Sequence, residues 1–278
     1  MRRIGIVLKS SEERAISLGE EISAFIRKNG KDVLLEASCK ELAQQWHATA
    51  TDRISDEADL LVVLGGDGTI LHAVHLLNDR PVPVLGINLG RVGYIAEVSP
   101  QEAISELQSV VEGTAPLVKR MMLQVTLPNG ETARVLNDVV IHWGRRARLI
   151  DLGVRRGDAR EIEIRADGLI VCTPIGSSAY SYAANGPLVH PEIEAIILTP
   201  ICPYSGLKRP LIIPPEVETE LVLKRGEELV LTLDGHRTVN AEVGQSLRVV
   251  RSPVPFIMVQ SRRRDYFEVL KQKLGLLL

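Results

Sequence analysis

Residues 60–64 read Leu-Leu-Val-Val-Leu without interruption and run straight into Gly65-Gly66-Asp67-Gly68-Thr69. An apolar run with no alternation has no face to give to water, so it predicts a strand covered on both sides, as in a parallel sheet flanked by helices. A helical stretch is expected after Thr69, which places the glycine-rich segment at the carboxyl end of a buried strand, where doubly wound sheets bind their ligands. The first turn of the following helix offers N–H groups without intrahelical partners, and these suit phosphate oxygens. Gly65, Gly66 and Gly68 allow the backbone to approach such oxygens closely, and Thr69 closes the loop. Asp67 then sets a carboxylate beside phosphates. It can accept the proton of an attacking hydroxyl, or hold a magnesium ion together with the nucleotide phosphates. A helix cap is the purely structural alternative for Asp67.

The surrounding pattern supports a parallel sheet. Residues 4–8, 33–35 and 82–87 are further strand candidates, and between the first two Ala15, Leu18, Ile22, Phe25 and Ile26 recur near helical spacing until Asn29-Gly30. Residues 100–112 read as another helix. The rhythm then changes to short alternating runs at 123–127, 133–141, 161–165, 169–172, 196–199, 218–224, 229–233 and 246–250, with Asn129-Gly130 as a hairpin turn. The expected fold is an α/β N-terminal domain with a Rossmann-like parallel sheet over 1–116, followed by a strand-rich antiparallel, β-sandwich-like domain over 117–255. The segment 256–278, helical over 266–274, is expected to return to the first domain.

Composition excludes several partners. Lys and Arg number 33 against 35 Asp and Glu, a formal net charge of −2, so there is no general attraction to nucleic acid or anionic lipid and phosphate binding must be local. No run approaches the roughly 18 apolar residues of a membrane span, and the N-terminus lacks the features of a signal peptide, so a cytoplasmic protein without membrane partners is expected. Cys39, Cys172 and Cys202 are far apart with no CxxC pair, which predicts small buried hydrophobes rather than a disulfide framework or zinc site. An ordinary P-loop is absent, and residues 86–93 read G-x-x-x-G-x-x-G rather than the dinucleotide G-x-G-x-x-G.

The Gly65–Thr69 pentapeptide is shared by NAD kinases, diacylglycerol and sphingosine kinases and, in a close variant, phosphofructokinases. Three more segments narrow the choice: Gly86-Ile87-Asn88-Leu89-Gly90-Arg91-Val92-Gly93-Tyr94, Leu136-Asn137-Asp138-Val139-Val140, and the stretch from Asp167-Gly168 through Thr173-Pro174-Ile175-Gly176-Ser177-Ser178-Ala179-Tyr180. With Thr199-Pro200-Ile201-Cys202-Pro203, Asp234-Gly235 and Tyr266-Phe267-Glu268-Val269-Leu270, the chain resembles the NAD kinase family over nearly its whole length. The resemblance implies transfer of a phosphoryl group from ATP, another triphosphate or polyphosphate to the 2′-hydroxyl of the adenosine ribose of NAD, giving NADP. It implies a divalent metal ion, magnesium being expected, and a homodimer or homotetramer.

The same resemblance implies roles for single residues. Asp67 would lie near the ribose hydroxyl as general base. Asn137 and Asp138 would bind NAD, since an amide followed by a carboxylate can fork two hydroxyls. Asp167 and the loop with Thr173, Ser178, Ala179 and Tyr180 would surround the nicotinamide and adenine ends. Tyr94 stands where the family usually has phenylalanine, consistent with an aromatic lid on adenine or with a core ring. Arg165 is a candidate for the pyrophosphate or the new 2′-phosphate, or is an exposed strand arginine. The chain departs from the family at Ile175 and Ala183, which replace hydroxyl residues, and at Ser178 for threonine, Asn185 for glycine and Tyr204 for histidine. Ala183 occupies the position of a serine that helps hold nicotinamide. The basic runs Arg145, Arg146, Arg148 and Arg262-Arg263-Arg264 could attract phosphates or form solvated faces, and His72 is expected as a partly buried helix histidine. Two rivals share much of this pattern. A lipid kinase should lack the 173–180 loop and carry a membrane-facing element. A non-catalytic NAD(P)-binding regulator would have no need of Asp67.

Overall fold

In the computed structural model, which describes residues 1–77, 80–90, 93, 95–144, 148–157, 159–226, 228–261 and 266–274, the strand Leu60–Gly65 is buried at every position. It lies fourth in a seven-stranded sheet, in the order Thr49–Thr51, Asp32–Glu36, Arg3–Leu8, Leu60–Gly65, Val84–Asn88, Phe256–Val259 and Leu117–Arg120. The pairings from Thr49–Thr51 through Phe256–Val259 are parallel. The helix Glu13–Lys28 buries Ala15, Ile22 and Ile26, the stripe expected from their spacing, and these join the strand side chains and the fully enclosed Trp46 in one core. Helix Asp67–Leu76 turns Ile70, Leu71, Ala73 and Val74 inward.

Two compact units are present: Met1–Lys119 together with Phe256–Leu278, and Arg120–Pro255. The first unit therefore includes the end of the described chain, with a strand at Phe256–Val259 and the helix Tyr266–Leu274, whose Val269 and Leu270 are buried. Among the described residues no helix is long and apolar enough to cross a membrane.

The second unit is built from two antiparallel sheets of seven and six strands. Alternate residues from both sheets, such as Leu221, Leu223 and Val249 from one and Ile141, Leu231 and Leu233 from the other, fill a common core, as a sandwich requires. The strand Gly168–Cys172 is buried on both faces, because Ile170 and Cys172 contact a second apolar cluster with Val140, Val189 and Ile197.

Several details differ from the sequence expectation. The run 133–141 is two strands, Thr132–Val135 and Asp138–Trp143, which belong to different sheets. The chain leaves the ladder at Leu136-Asn137 because the amides there bond a side chain instead of a neighbouring strand. Segment 100–112 opens as a 3-10 turn, Pro100–Glu102, before the helix Ala103–Val111. Cys39 and Cys172 are buried, but Cys202 is exposed in a left-handed conformation with φ 44°, so it is not a core residue. His72 is also exposed, and its Nε2 lies 2.9 Å from Glu36 Oε1, a contact that raises its pKa.

Candidate functional site

The first unit presents the loop between Leu60–Gly65 and Asp67–Leu76. Gly66, extended at φ −99°, is the N-cap, and no side chain caps this helix. Asp67 is thus the first helical residue and not a cap. Its carboxylate sits where the helix dipole favours negative charge. Oδ1 accepts hydrogen bonds from the amides of Ile95 at 3.1 Å and Ala96 at 3.3 Å, and Oδ2 is paired with Lys273 Nζ at 2.6 Å. Asn88, buried at the end of the neighbouring strand, holds the same segment: its Nδ2 donates to the Ala96 carbonyl at 3.4 Å and its Oδ1 accepts from the Gly90 amide. Gly93 packs directly on the carboxylate, and a Cβ there would overlap Asp67 Oδ1. Of the spaced glycines of 86–93, Gly86 is thus kept without a side chain by Ile70 and Gly93 by Asp67. Lys273 gives the loop region a cation that residues 65–69 do not contain. It comes from 206 residues further along the chain, beyond the reach of any local motif.

The second unit carries a cavity of about 520 Å³. Of the residues singled out from the sequence, Asn137, Asp138, Asp167, Ala179 and Tyr180 line it. Asp234, Gly235, Thr232, His142 and Trp143 complete its polar and aromatic wall; of these the sequence singles out only Asp234-Gly235, and without a role. His142 Nδ1 lies 2.6 Å from the Trp143 carbonyl and Nε2 lies 3.1 Å from Thr232 Oγ1. A carbonyl only accepts, so in the neutral ring Nδ1 carries the proton and Nε2 accepts from the threonine hydroxyl.

Asp138 is 5% exposed and Asp234 is 4% exposed. Burial, and secondarily the charge of Asp234, push the Asp138 carboxyl up to about 7. Burial likewise pushes the Cys172 thiol up to about 12, leaving it protonated and inert. Thr173 is fully enclosed: its hydroxyl donates to the Leu136 carbonyl at 2.6 Å and accepts from the Gly176 amide at 3.0 Å, so it shapes the loop from within. Gly176 is required there because a Cβ would overlap the Asn137 carbonyl. Ser178 donates to the Ile175 carbonyl at 3.0 Å, and Ala183 is exposed at the end of the short helix Tyr180–Ala183. Neither lines the cavity. Arg165 faces a separate space of about 360 Å³ with Arg148 and Arg225, lies 3.4 Å from Asp151 Oδ1, and stacks 5.7 Å from the centre of the Tyr204 ring. Tyr94, Arg145, Arg146 and Arg262-Arg263-Arg264 lie outside the described residues.

Among the described residues no group of three or more His, Cys, Asp or Glu side chains is placed to hold a metal ion. Magnesium does not need one. It binds by one or two carboxylates plus substrate phosphates and water, so a single carboxylate such as Asp67, whose Oδ2 is paired with Lys273, would fit it only with phosphates completing the donor set.

Known proteins match both units. Residues 4–115 match the ATP-NAD kinase N-terminal domain and residues 136–261 the ATP-NAD kinase C-terminal domain. An NAD kinase of Geotalea daltonii is 38% identical over 279 residues, covering 99% of this chain and 98% of that protein. An NAD kinase of Methanothermobacter thermautotrophicus is 35% identical over 84% of this chain and 83% of its own length. Among solved structures, a yeast NADH kinase complexed with NADH superposes with a TM-score of 0.91 at 26% identity, covering 99% of this chain and 88% of that one. An Archaeoglobus fulgidus NAD kinase in complex with ATP gives 0.78 at 27% identity, covering 96% and 98%. With both domain models matched in order and relatives aligned end to end, the chain belongs to the ATP-NAD kinase family.

Proposed function

We propose that this phosphotransferase moves the γ-phosphoryl group of ATP to the 2′-hydroxyl of the adenosine ribose of NAD, with Asp67 taking the hydroxyl proton. The oxygen of the hydroxyl forms a new bond to phosphorus, the bond to the β-phosphate oxygen breaks, and NADP and ADP result. The observation that carries the reading is the state of Asp67: a carboxylate fixed by two backbone amides at a helix N-terminus, not consumed as a cap, in a loop suited to phosphates. In the second unit, Asn137 and Asp138 offer an amide and a carboxylate to ribose hydroxyls, while Asp167, Ala179 and Tyr180 bound the same cavity and are assigned to the dinucleotide. Thr173 and Ser178 shape that wall through their loop bonds. Arg165, turned to its own cavity, is the candidate for a phosphate of the dinucleotide. A bound magnesium ion would neutralise phosphate charge as it develops.

A coupled assay tests the reading. ATP, magnesium and NAD should yield NADP, chelator should abolish the yield, and parallel reactions with NADH, other triphosphates and polyphosphate would rank acceptors and donors. No NADP from any donor would sink it. A homo-oligomer and a cytoplasmic location belong to the same reading. The second unit's sheets end in edge strands, such as Thr132–Val135 and Arg237–Ala241, that offer pairing surfaces. A monomer mass by light scattering at micromolar concentration would remove the assembly from it.

A further inference from the structure

The turn that follows strand Leu229–Leu233 contains Asp234, whose carboxylate is buried. Its Oδ2 accepts from the Leu136 amide at 2.9 Å, and its Oδ1 accepts from the Asn137 amide at 2.7 Å and the Asp138 amide at 3.1 Å. Three successive N–H groups converging on one point form a concavity of the kind that binds anions. Here the chain fills it with its own carboxylate. The turn is locked in return: the Asp234 amide donates to the Asp138 carbonyl at 2.9 Å, and His236 Nδ1 donates to the Asp234 carbonyl at 2.7 Å. Asp234 holds φ +48°, a left-handed conformation that a residue with a Cβ keeps only where surrounding bonds over-determine it.

From the opposite side the Thr173 amide donates to the Asn137 carbonyl at 2.9 Å and the Thr173 hydroxyl binds the Leu136 carbonyl. Every backbone polar group from the Leu136 amide to the Asp138 carbonyl therefore has a partner. The side chains of Asn137 and Asp138 are left to line the cavity. We propose that Asp234 is a positioning residue for NAD binding, an internal carboxylate that fixes the Asn137-Asp138 backbone so that the two side chains are presented to ribose.

This inference rests on the reading that Asn137 and Asp138 hold NAD. It adds a separable electrical effect. Asp234 lies against Asp138 and opposes its ionisation. Cys172, Asp138's partner across the sheet, is neutral, while Asp167, Tyr180 and His142 are the remaining titratable groups on the cavity wall. An ionised Asp138 accepts from two hydroxyls, and a protonated one gives up part of that capacity.

Asp234→Asn keeps the size of the side chain but removes its charge and turns an NH2 group toward the amides. The expected result is a KM for NAD raised roughly 10- to 100-fold, the scale of a lost hydrogen bond to a charged group, with KM for ATP unchanged. The pH at which KM for NAD changes should also move downward, a readout that a merely structural role would not shift. A parent-like KM for NAD with an unmoved pH profile would overturn the proposal. If the variant does not fold, the unmodified protein carries the test: the amides of residues 136–138 should be protected from hydrogen exchange in the absence of nucleotide, and exchange at open-loop rates would overturn it. If Asn137→Ala and Asp138→Ala both leave KM for NAD unchanged while those amides stay protected, the NAD-site reading has failed and the clamp has not.

Discussion

The loop after Leu60–Gly65 in the first unit and the cavity of the second divide backbone and side chain in opposite ways. Around Asp67 it is the side chain that is fixed, by the Ile95 and Ala96 amides and by Lys273, while the loop backbone between a buried strand and a helix is what a phosphate would meet. Around Asn137-Asp138 the backbone is fully engaged, by Asp234 and Thr173, and the side chains are what a ligand would meet. The two arrangements suit their tasks. Phosphate oxygens are bound well by N–H groups and dipoles, whereas hydroxyls need acceptors and donors at the tips of side chains. In the first case one carboxylate is held still. In the second one dipeptide is held still.

The contrast can be broken most strongly at Asp67. Asp67→Asn preserves shape but removes basicity, so kcat should fall by roughly 10²- to 10⁴-fold with KM for NAD little changed. A kcat within about threefold of the parent, at the parent's melting temperature, would remove Asp67 from the chemistry. Gly93→Ala is a subtler probe of the same point, because the added methyl must displace the carboxylate. A displacement of the proposed base of that kind should cost on the order of 10- to 100-fold in kcat. Unaltered kinetics in a folded Gly93→Ala protein would mean that the position of Asp67 is not critical.

Asp138→Asn sharpens the other half of the comparison. The carboxyl is raised from 3.8 to about 7 on folding, so between those values the folded state keeps a proton that the unfolded chain has lost. This group's contribution to stability therefore falls as pH rises through that window and is level above it. Thermal unfolding should show the variant gaining on the parent between pH 4 and pH 7, with no further gain at pH 8. A melting difference independent of pH would contradict the assignment. The smallest effect is expected at the family departures. Ile175→Thr and Ala183→Ser should each lower KM for NAD by no more than one new hydrogen bond allows, about 0.5 to 1.5 kcal/mol. Ala183 is exposed and neither residue lines the cavity, so an increase in KM would show a loop repacked around the existing side chains.

What could be read from the sequence follows the same division. The strand Leu60–Gly65, its loop and the following helix are contiguous, and an apolar run, glycines and helical spacing announce them without help from distant residues. The antiparallel character of the second unit was visible in its short alternating runs. The break at Leu136-Asn137 was not, because its cause lies 96 to 98 residues away in Asp234. The strand Ile150–Arg156 escaped for a different reason: Gly153 and the charged Asp151, Arg155 and Arg156 disguise a strand whose buried residues are Ile150, Leu152, Gly153 and Val154. Asn137 and Asp138 stood out only through family resemblance. Lys273 carries no local signal, and its partner emerges only when the helix Tyr266–Leu274 is placed in the first unit.

That placement has a consequence for the order in which the molecule is made. Residues 120–255 are contiguous and can close their sandwich as soon as they have left the ribosome, although they are synthesised after most of the first unit. The earlier-made unit has to wait. Until Phe256–Val259 arrives, Val84–Asn88 lacks its partner on that side and presents open peptide groups that another chain could capture. A translation product halted before residue 256 would hold every residue of the second unit's cavity, yet neither this sixth strand nor the lysine beside Asp67. The cavity proposed for the dinucleotide is thus encoded to be complete before the loop proposed for phosphoryl transfer receives its lysine.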